Sequence, residues 1–214
     1  MDVYFFDCDD TLYAYDFRQR LPMLAKLTGL SEYHLASTWW ADGYEHAAES
    51  GEFTSSEEYL AAFSEVTGAD LTLEQWQIAR KSAMTPIPGS IAAMKRATEL
   101  GTVSLLSNNP IPFKDSLPLL TPEIWTTLRG NDLVSAVLGA RKPERRIYTR
   151  ALGRFGVQPA DAILFDDSAA NVDGAIQAGM HAFQLTRTNG IFDIDGLNAA
   201  IDAFANRERA GASL

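Results

Sequence analysis

Five short apolar runs, each followed by polar or turn residues, recur along this chain with helix-patterned segments between them. Such runs, rich in β-branched and aromatic side chains, are typical of buried strands. The intervening segments repeat apolar residues at helical spacing and end at Gly101, Gly156 and Gly179. Strands that alternate with helices predict an α/β fold with a doubly wound, Rossmann-like parallel sheet. The predicted strands are Val3–Phe6, Thr102–Leu106, Leu133–Val137, Ala162–Phe165 and His181–Leu185.

Residues 14–85 break this alternation, because they show helical spacing and no convincing strand. Helix-start patterns occur at Ser55-x-x-Glu58 and Thr72-x-x-Gln75. The chain then reaches residues 86–89, where two prolines and a glycine suit a stiffened crossing point. We therefore predict an all-helical insertion over residues 14–85 and an α/β core built from residues 1–13 and 86–214.

Charge and composition restrict the class of partner. The formal net charge of −10 opposes broad attraction to nucleic acid, because such binding depends on Lys and Arg. No apolar stretch approaches the length of a membrane span, and the acidic start of the chain does not resemble a secretory signal. The single cysteine, Cys8, agrees with a reducing compartment and is interpreted as packed rather than catalytic. We expect a cytoplasmic protein that acts on a small molecule, with no nucleic-acid or membrane partner; its oligomeric state is not predicted.

Two acidic clusters follow predicted strands. Asp7-Cys8-Asp9-Asp10-Thr11 comes directly after the first strand, and Asp166-Asp167 comes directly after Ala162–Phe165. Ligands of doubly wound sheets bind outside the carboxyl ends of the strands, so both clusters can reach one site. Carboxylates brought together repel each other unless a cation lies between them, and hard oxygen ligands suit Mg²⁺. The alternative, acidic residues that cap turns, explains one cluster better than it explains both.

Two further features are weaker when taken alone. Ser107-Asn108-Asn109 follows the second strand, where a hydroxyl and backbone N–H groups can hold phosphoryl oxygens, although the sequence is also an ordinary turn signal. Lys142 precedes Pro143, which suits the first turn of a helix. This lysine can neutralise a crowded acidic site, or it can belong with its arginine neighbours to a solvated basic helix start.

Taken in order, these residues resemble the four signature motifs of the haloacid dehalogenase-like (HAD) superfamily. The resemblance spans Val3 to about Leu185, and the helical insertion stands where this family carries its type one cap, which closes over the substrate. Asp9 favours the phosphatase branch, since haloacid dehalogenases characteristically lack this second aspartate. The Asp10-Thr11 pairing resembles the pyrimidine 5′-nucleotidase-like branch. The matching motifs are Asp7-x-Asp9-x-Thr11, Ser107-Asn108, Lys142 and Asp166-Asp167.

The resemblance implies a catalytic role for three residues. Asp7 attacks phosphorus and is transiently phosphorylated. Asp9 protonates the departing alkoxide and then deprotonates the water that hydrolyses the aspartyl-phosphate. Lys142 stabilises the phosphoryl oxygens in the transition state. The substrate-binding residues implied beside them are Ser107, Asn108 and Thr11.

The resemblance also implies a Mg²⁺ cofactor. Its ligands would be Asp7, the backbone carbonyl of Asp9, and Asp167. Asp166 either shares this role or anchors Lys142, and Asn171 is expected to orient the acidic pair. His34, His46 and His181 show no ligand spacing and are interpreted as surface or packing residues.

The leading functional hypothesis is a magnesium-dependent phosphomonoester hydrolase acting on a small phosphorylated metabolite, such as a nucleoside monophosphate or a sugar phosphate. Two alternatives stay open: a phosphomutase on the same fold, and a non-catalytic phosphoester-binding protein. The insertion is rich in aromatic residues, which either build its core or stack on a base or sugar, with the adjacent pair Trp39-Trp40 the best candidate for stacking. These aromatics are Trp39, Trp40, Tyr44, Phe53, Tyr59, Phe63 and Trp76.

Overall fold

A five-stranded parallel sheet forms the centre of the computed structural model, which describes residues 1–207. The first strand, β1 (Val3–Phe6), lies in the middle of the sheet, with Val3 paired to Thr102 on one side and to Ala162 on the other. All four β1 side chains are fully buried, as expected for a strand covered on both faces. The predicted doubly wound α/β fold is confirmed. The other strands are β4 (Thr102–Ser107), β5 (Asp132–Val134), β6 (Ala162–Asp166) and β7 (His181–Gln184), and the spatial order is β5-β4-β1-β6-β7.

Helices cover both faces of this sheet and bury the alternating side chains of β1. Tyr4 and Phe6 belong to one apolar cluster, and Val3 and Phe5 belong to a second cluster on the opposite face. This alternation follows from the two-residue period of a strand. The helices are α6 (Pro88–Ala97), α7 (Ile111–Asp115), α8 (Leu117–Leu120), α9 (Pro122–Leu128), α10 (Ser135–Leu138), α11 (Arg145–Phe155), α12 (Ala169–Gln177) and α13 (Ile194–Ala205), with a 3₁₀ turn at Pro159–Asp161.

The predicted strand Leu133–Val137 was wrong in its extent. Strand β5 ends at Val134, and Ser135 begins the four-residue helix α10. Most side chains on both sides of the boundary are buried, with Val137 the exposed exception, so burial continues from the strand into the helix. A short apolar run does not distinguish a buried strand from a buried helix, which is why the sequence pattern placed the end three residues too late.

Five helices and a π-helix occupy the stretch that we call the helical segment, residues 17–82. The helix starts predicted at residues 55 and 72 are confirmed, because the Ser55 and Thr72 hydroxyls accept hydrogen bonds from the N–H groups of Glu58 and Gln75. The elements are α1 (Phe17–Thr28), α2 (Glu32–Leu35), the π-helix Ala36–Ala41, α3 (Tyr44–Glu49), α4 (Ser56–Thr67) and α5 (Leu73–Ser82).

A two-stranded antiparallel ribbon, which the sequence pattern did not predict, lies where the helical segment joins the sheet. Strands β2 (Tyr13–Tyr15) and β3 (Met84–Pro86) pair, with Tyr13 opposite Pro86. Three-residue strands are too short to show a periodic pattern. A second small ribbon, β8 (Arg187–Thr188) with β9 (Ile191–Phe192), follows β7. Among the described residues, no helix has both the length and the apolar character that a bilayer crossing requires.

Buried polar groups hold the interior of the helical segment together. The Glu45 carboxylate accepts hydrogen bonds from Arg20, from the Trp39 indole and from the Tyr59 hydroxyl, at 3.2, 2.6 and 2.6 Å. Trp39 is fully buried in this core, whereas Trp40 is partly exposed and packs edge-on against Phe17. The adjacent tryptophans therefore point in different directions. Trp39 is a core residue, whereas Trp40 packs against the outside of the core.

Candidate active site

Three carboxylates converge at the carboxyl ends of β1 and β6. Asp7 directly follows β1, and its N–H donates to the Phe165 carbonyl at 2.9 Å, which ties it to the neighbouring strand. Asp166 is the last residue of β6. Oxygens of Asp7, Asp166 and Asp167 all lie within 4.8 Å of one another. The two acidic clusters therefore meet in space, as the strand order requires.

The Lys142 ammonium lies between two of these carboxylates. Its Nζ is 2.9 Å from Asp7 Oδ1 and 2.5 Å from Asp166 Oδ2, and the side chain is completely buried. The Asn108 side chain fixes the lysine backbone from both sides, because its Oδ1 accepts from the Lys142 N–H and its Nδ2 donates to the Lys142 carbonyl. The Asn108 side chain thus positions the lysine that neutralises the site.

The expected helix start at Pro143 is not observed. Helix α11 begins at Arg145, and the Lys142–Pro143 peptide bond is cis. Lys142 therefore belongs to the loop before the helix and not to a solvated basic helix start. Arg146 is exposed and pairs with Glu144, whereas Arg141 pairs at 2.7 Å with Glu49 of the helical segment.

Asp166 and Asp167 differ in what surrounds them. Asp166 is fully buried and accepts hydrogen bonds from Lys142, from the Asn171 amide at 2.9 and 3.1 Å, and from the Ser168 N–H at 2.9 Å. The sequence left open whether Asp166 anchors Lys142 or shares the metal-binding role; the structure shows Asp166 against Lys142 and within the three-carboxylate group, and its role as a metal ligand stays a prediction. Asp167 is only partly buried, so its carboxylate is the more accessible of the pair.

Burial and mutual repulsion change the acidity of this cluster. Burial raises the pKa of Asp7 to about 7, against the opposing effect of the Lys142 charge. Burial and the neighbouring Asp166 charge raise the pKa of Asp167 to about 6. Three carboxylates face one ammonium, so the group carries an excess of negative charge that a divalent cation can balance. The donor set, hard oxygens only, fits Mg²⁺.

The second aspartate of the first motif lies beside the three-carboxylate group and has a different partner. Arg80, on α5 of the helical segment, places Nη2 at 2.7 Å from Asp9 Oδ1 and 2.6 Å from Oδ2. Asn109 contacts both, since its Oδ1 accepts from Arg80 at 3.2 Å and its Nδ2 is 3.4 Å from Asp9. Nothing local in the sequence marks Arg80, because its partner lies 71 residues away in the chain.

The remaining predicted substrate contacts occupy the same edge. Ser107 ends β4, is buried, and accepts a hydrogen bond from Asn109 Nδ2 at 3.0 Å. Thr11 is fully buried, and its hydroxyl has no hydrogen-bond partner among residues 1–207. Their contacts with a phosphoryl group stay predictions.

A cavity of about 470 Å³ lies beside Asp167, between this carboxylate and the β8–β9 ribbon. A cavity of this size can hold a small molecule next to the carboxylate group. Its wall combines two aromatic rings, one amide, one guanidinium and two carboxylates. The lining residues are Asp10, Tyr15, Asp167, Gln184, Leu185, Thr186, Arg187 and Phe192.

Cys8, His34 and His181 are explained by packing and by hydrogen bonds. Cys8 is buried, and burial raises the pKa of its thiol well above the ordinary value, so the side chain is a packed thiol. His34 bonds the Thr67 carbonyl, and the His181 ring packs against Phe204. No histidine belongs to the potential metal-binding group found within residues 1–207.

A doubly wound parallel sheet with buried aspartates and a lysine at its carboxyl edge is an arrangement typical of α/β enzymes with acidic active sites. The chain belongs to the haloacid dehalogenase-like hydrolase family, whose model matches residues 1–179. The resemblance predicted from the four motifs is confirmed at this level.

Two relatives and one solved structure are similar to this chain. It is 30% identical over 128 residues to flavin mononucleotide hydrolase 1 of Arabidopsis thaliana, a chloroplast protein, covering 58% of this chain and 50% of that protein. It is 26% identical over 212 residues to a phosphatase of Mycobacterium tuberculosis, covering 92% and 95%. An HAD family enzyme of Bacteroides thetaiotaomicron, solved with magnesium and inorganic phosphate, superposes with a TM-score of 0.70 at 18% identity, covering 87% and 94%. That likeness shows the fold; the pyrimidine nucleotidase branch stays a prediction.

Proposed function

We propose that this protein is a magnesium-dependent phosphomonoesterase that hydrolyses a small phosphorylated metabolite through an aspartyl-phosphate on Asp7. The observation that carries the proposal is the convergence of Asp7, Asp166 and Asp167 beside the buried Lys142. The two curated relatives support it, since one is named a flavin mononucleotide hydrolase and the other a phosphatase. Flavin mononucleotide, nucleoside monophosphates and sugar phosphates are therefore the first substrates to test.

The residues divide the chemistry into two displacements. A carboxylate oxygen of Asp7 attacks phosphorus, the ester P–O bond breaks, and the departing alkoxide takes a proton from Asp9. A water molecule then loses its proton to Asp9 and attacks the phosphoryl group, which releases phosphate and regenerates Asp7. Lys142 offsets the charge on the phosphoryl oxygens throughout.

The carboxylate group suits Mg²⁺. The ion would be held by Asp7, Asp167 and the backbone carbonyl of Asp9, and the Asp166 carboxylate is a further candidate ligand. When bound, the cation supplies positive charge next to the phosphoryl oxygens. We propose that the helical segment, residues 17–82, acts as the cap that excludes water from this site. Residues 1–13 and 86–207 form the α/β core in this proposal, and positions 208–214 of the predicted core lie outside the described residues.

Purified protein is expected to release phosphate from p-nitrophenyl phosphate and from at least one metabolite phosphate when Mg²⁺ is present. Removing the metal with a chelator is expected to stop the release, because the remaining carboxylates would repel the substrate dianion. Adding Mg²⁺ back restores it. Activity that is unchanged by chelation, or isomerised product without free phosphate, would contradict the proposal.

The affinity for Mg²⁺ is expected to rise as the pH is raised from 5 to 8. The pKa values of Asp7 and Asp167 are raised to about 7 and about 6, so at low pH the cation must displace protons from both carboxyl groups. Calorimetric titration in two buffers of different ionisation enthalpy measures both the affinity and the released protons. Asp167→Asn should weaken binding and reduce proton release, whereas affinity that stays constant between pH 5 and 8 would count against these ligands.

A further inference from the structure

The Arg80–Asp9 ion pair joins the helical segment to the reacting part of the site. Arg80 is 1% exposed, and one of its nitrogens contacts both oxygens of the Asp9 carboxylate. The Asp9 side chain itself is 26% exposed, so it is not sealed off by this contact. Sharing one donor between both oxygens holds the carboxylate from a single direction and limits its rotation.

Aromatic rings and an amide fix the guanidinium in turn. The Arg80 guanidinium carbon lies 4.3 Å from the ring centroid of Tyr15, in the ribbon β2–β3, and 5.0 Å from that of Phe113, on α7. Asn109 bonds the same nitrogen that contacts Asp9. The Arg80 guanidinium therefore contacts the ribbon, helix α7 and the loop that carries Asn109, and its position depends on the packing of all three.

Helix α5 also makes polar contacts with the core that do not reach the site. Gln77 donates to the Ser116 hydroxyl at 2.9 Å, and the Lys81 ammonium donates to the Leu120 carbonyl at 2.8 Å. These two bonds already attach the helix to α7 and α8 and their loops. Arg80 adds an ion pair with Asp9 to these two bonds. Loss of the Asp9 charge would leave a buried guanidinium without a counter-charge, which strongly destabilises the folded protein.

We propose that Arg80 is a positioning residue for Asp9, and that it makes the placement of the Asp9 carboxylate depend on the docking of α5 against the core. This inference rests on the proposed function, in which Asp9 transfers protons. When α5 is docked, Asp9 is held where the departing oxygen and the attacking water need it. When α5 moves away, Asp9 loses both its counter-charge and its orientation.

The leaving group of the substrate separates this role from a purely structural one. An alkyl phosphate depends on proton donation from Asp9, whereas p-nitrophenolate leaves with little help. In Arg80→Met, kcat/KM is expected to fall about 100-fold for an alkyl phosphate and only about 10-fold for p-nitrophenyl phosphate. Arg80→Lys should recover part of the loss. Lys81→Met removes a docking bond on the same helix and should affect both substrates equally.

A double-mutant cycle with Asp9→Asn tests the coupling directly. If Arg80 acts through Asp9, adding Arg80→Met to Asp9→Asn lowers kcat/KM by less than about 3-fold further. Full additivity, or equal losses for both leaving groups, would overturn the proposal. If Arg80→Met does not fold, the same comparison with Arg80→Lys decides, since it should keep the leaving-group bias at smaller size. Asp7→Asn is the reference for the proposed function, because activity that survives in that variant refutes the phosphatase mechanism whatever Arg80 does.

Discussion

Asp7→Asn is expected to reduce phosphate release by on the order of 10⁵-fold, because the amide cannot serve as the attacking carboxylate. The substitution keeps the shape of the side chain, so the fold should persist. Thermal stability is expected to be equal to or higher than that of the original protein, since burial disfavours the charged form of Asp7. Steady-state phosphate release and thermal unfolding measure the two effects separately.

Asp132→Asn is the matched control for this experiment. Asp132 also pairs with a lysine, since its Oδ1 lies 2.8 Å from the Lys114 ammonium, but it begins β5 and lies outside the carboxylate group of the site. This variant should retain activity within about 3-fold of the original, as expected for a change far from the reacting atoms. Comparable losses in both variants would show that Asp7 acts through folding and not through chemistry.

Lys142→Met is expected to lower kcat by about 10²- to 10³-fold, the scale seen when a donor to a developing negative charge is removed. Because Lys142 contacts both Asp7 and Asp166, its loss also leaves two buried carboxylates without a counter-charge. Breaking a buried pair in this way costs about 3–5 kcal/mol of unfolding free energy. Mg²⁺ can replace part of the missing charge, so the variant should be stabilised by Mg²⁺ more than the original protein is.

Denaturant unfolding with and without Mg²⁺, together with kcat, checks this expectation. Lys114→Met serves as the control, because that lysine is about one-third exposed and its partner Asp132 lies away from the site. Because the lysine end of this pair is in contact with water, its loss should destabilise the protein less than loss of the completely buried Lys142. If kcat is unchanged in Lys142→Met, the proposed catalytic role of Lys142 is contradicted, even if the variant is less stable.

The sheet and the acidic group were predictable from the sequence for the same physical reason. Apolar four- or five-residue runs marked the strands, and parallel strands bring the residues that follow them to one edge. Asp7 and Asp166 therefore meet in space as predicted, although they lie 159 positions apart in the sequence. Short elements escaped the same reasoning, since neither the ribbon β2–β3 nor the end of β5 at Val134 leaves a periodic signal.

Contacts between distant elements were not predictable. The pairs Arg80–Asp9 and Arg141–Glu49 both join the helical segment to the core, and each depends on how the helices pack. Nothing in the local sequence around an arginine specifies a partner 71 or 92 residues away. The sequence likewise predicted that the Asn108 backbone N–H holds a phosphoryl oxygen. The structure shows a further role, because the Asn108 side chain bonds the backbone of Lys142.

Direct trapping of the phosphorylated side chain tests the central claim. Protein mixed with an excess of substrate and Mg²⁺, quenched in acid and reduced with borohydride, should carry the reduced product of an acyl-phosphate at position 7, identified by mass spectrometry of the peptide that contains it. The Asp7→Asn variant should carry none. Phosphate release at full rate with no trapped adduct at Asp7, or an adduct on another residue, would contradict the mechanism.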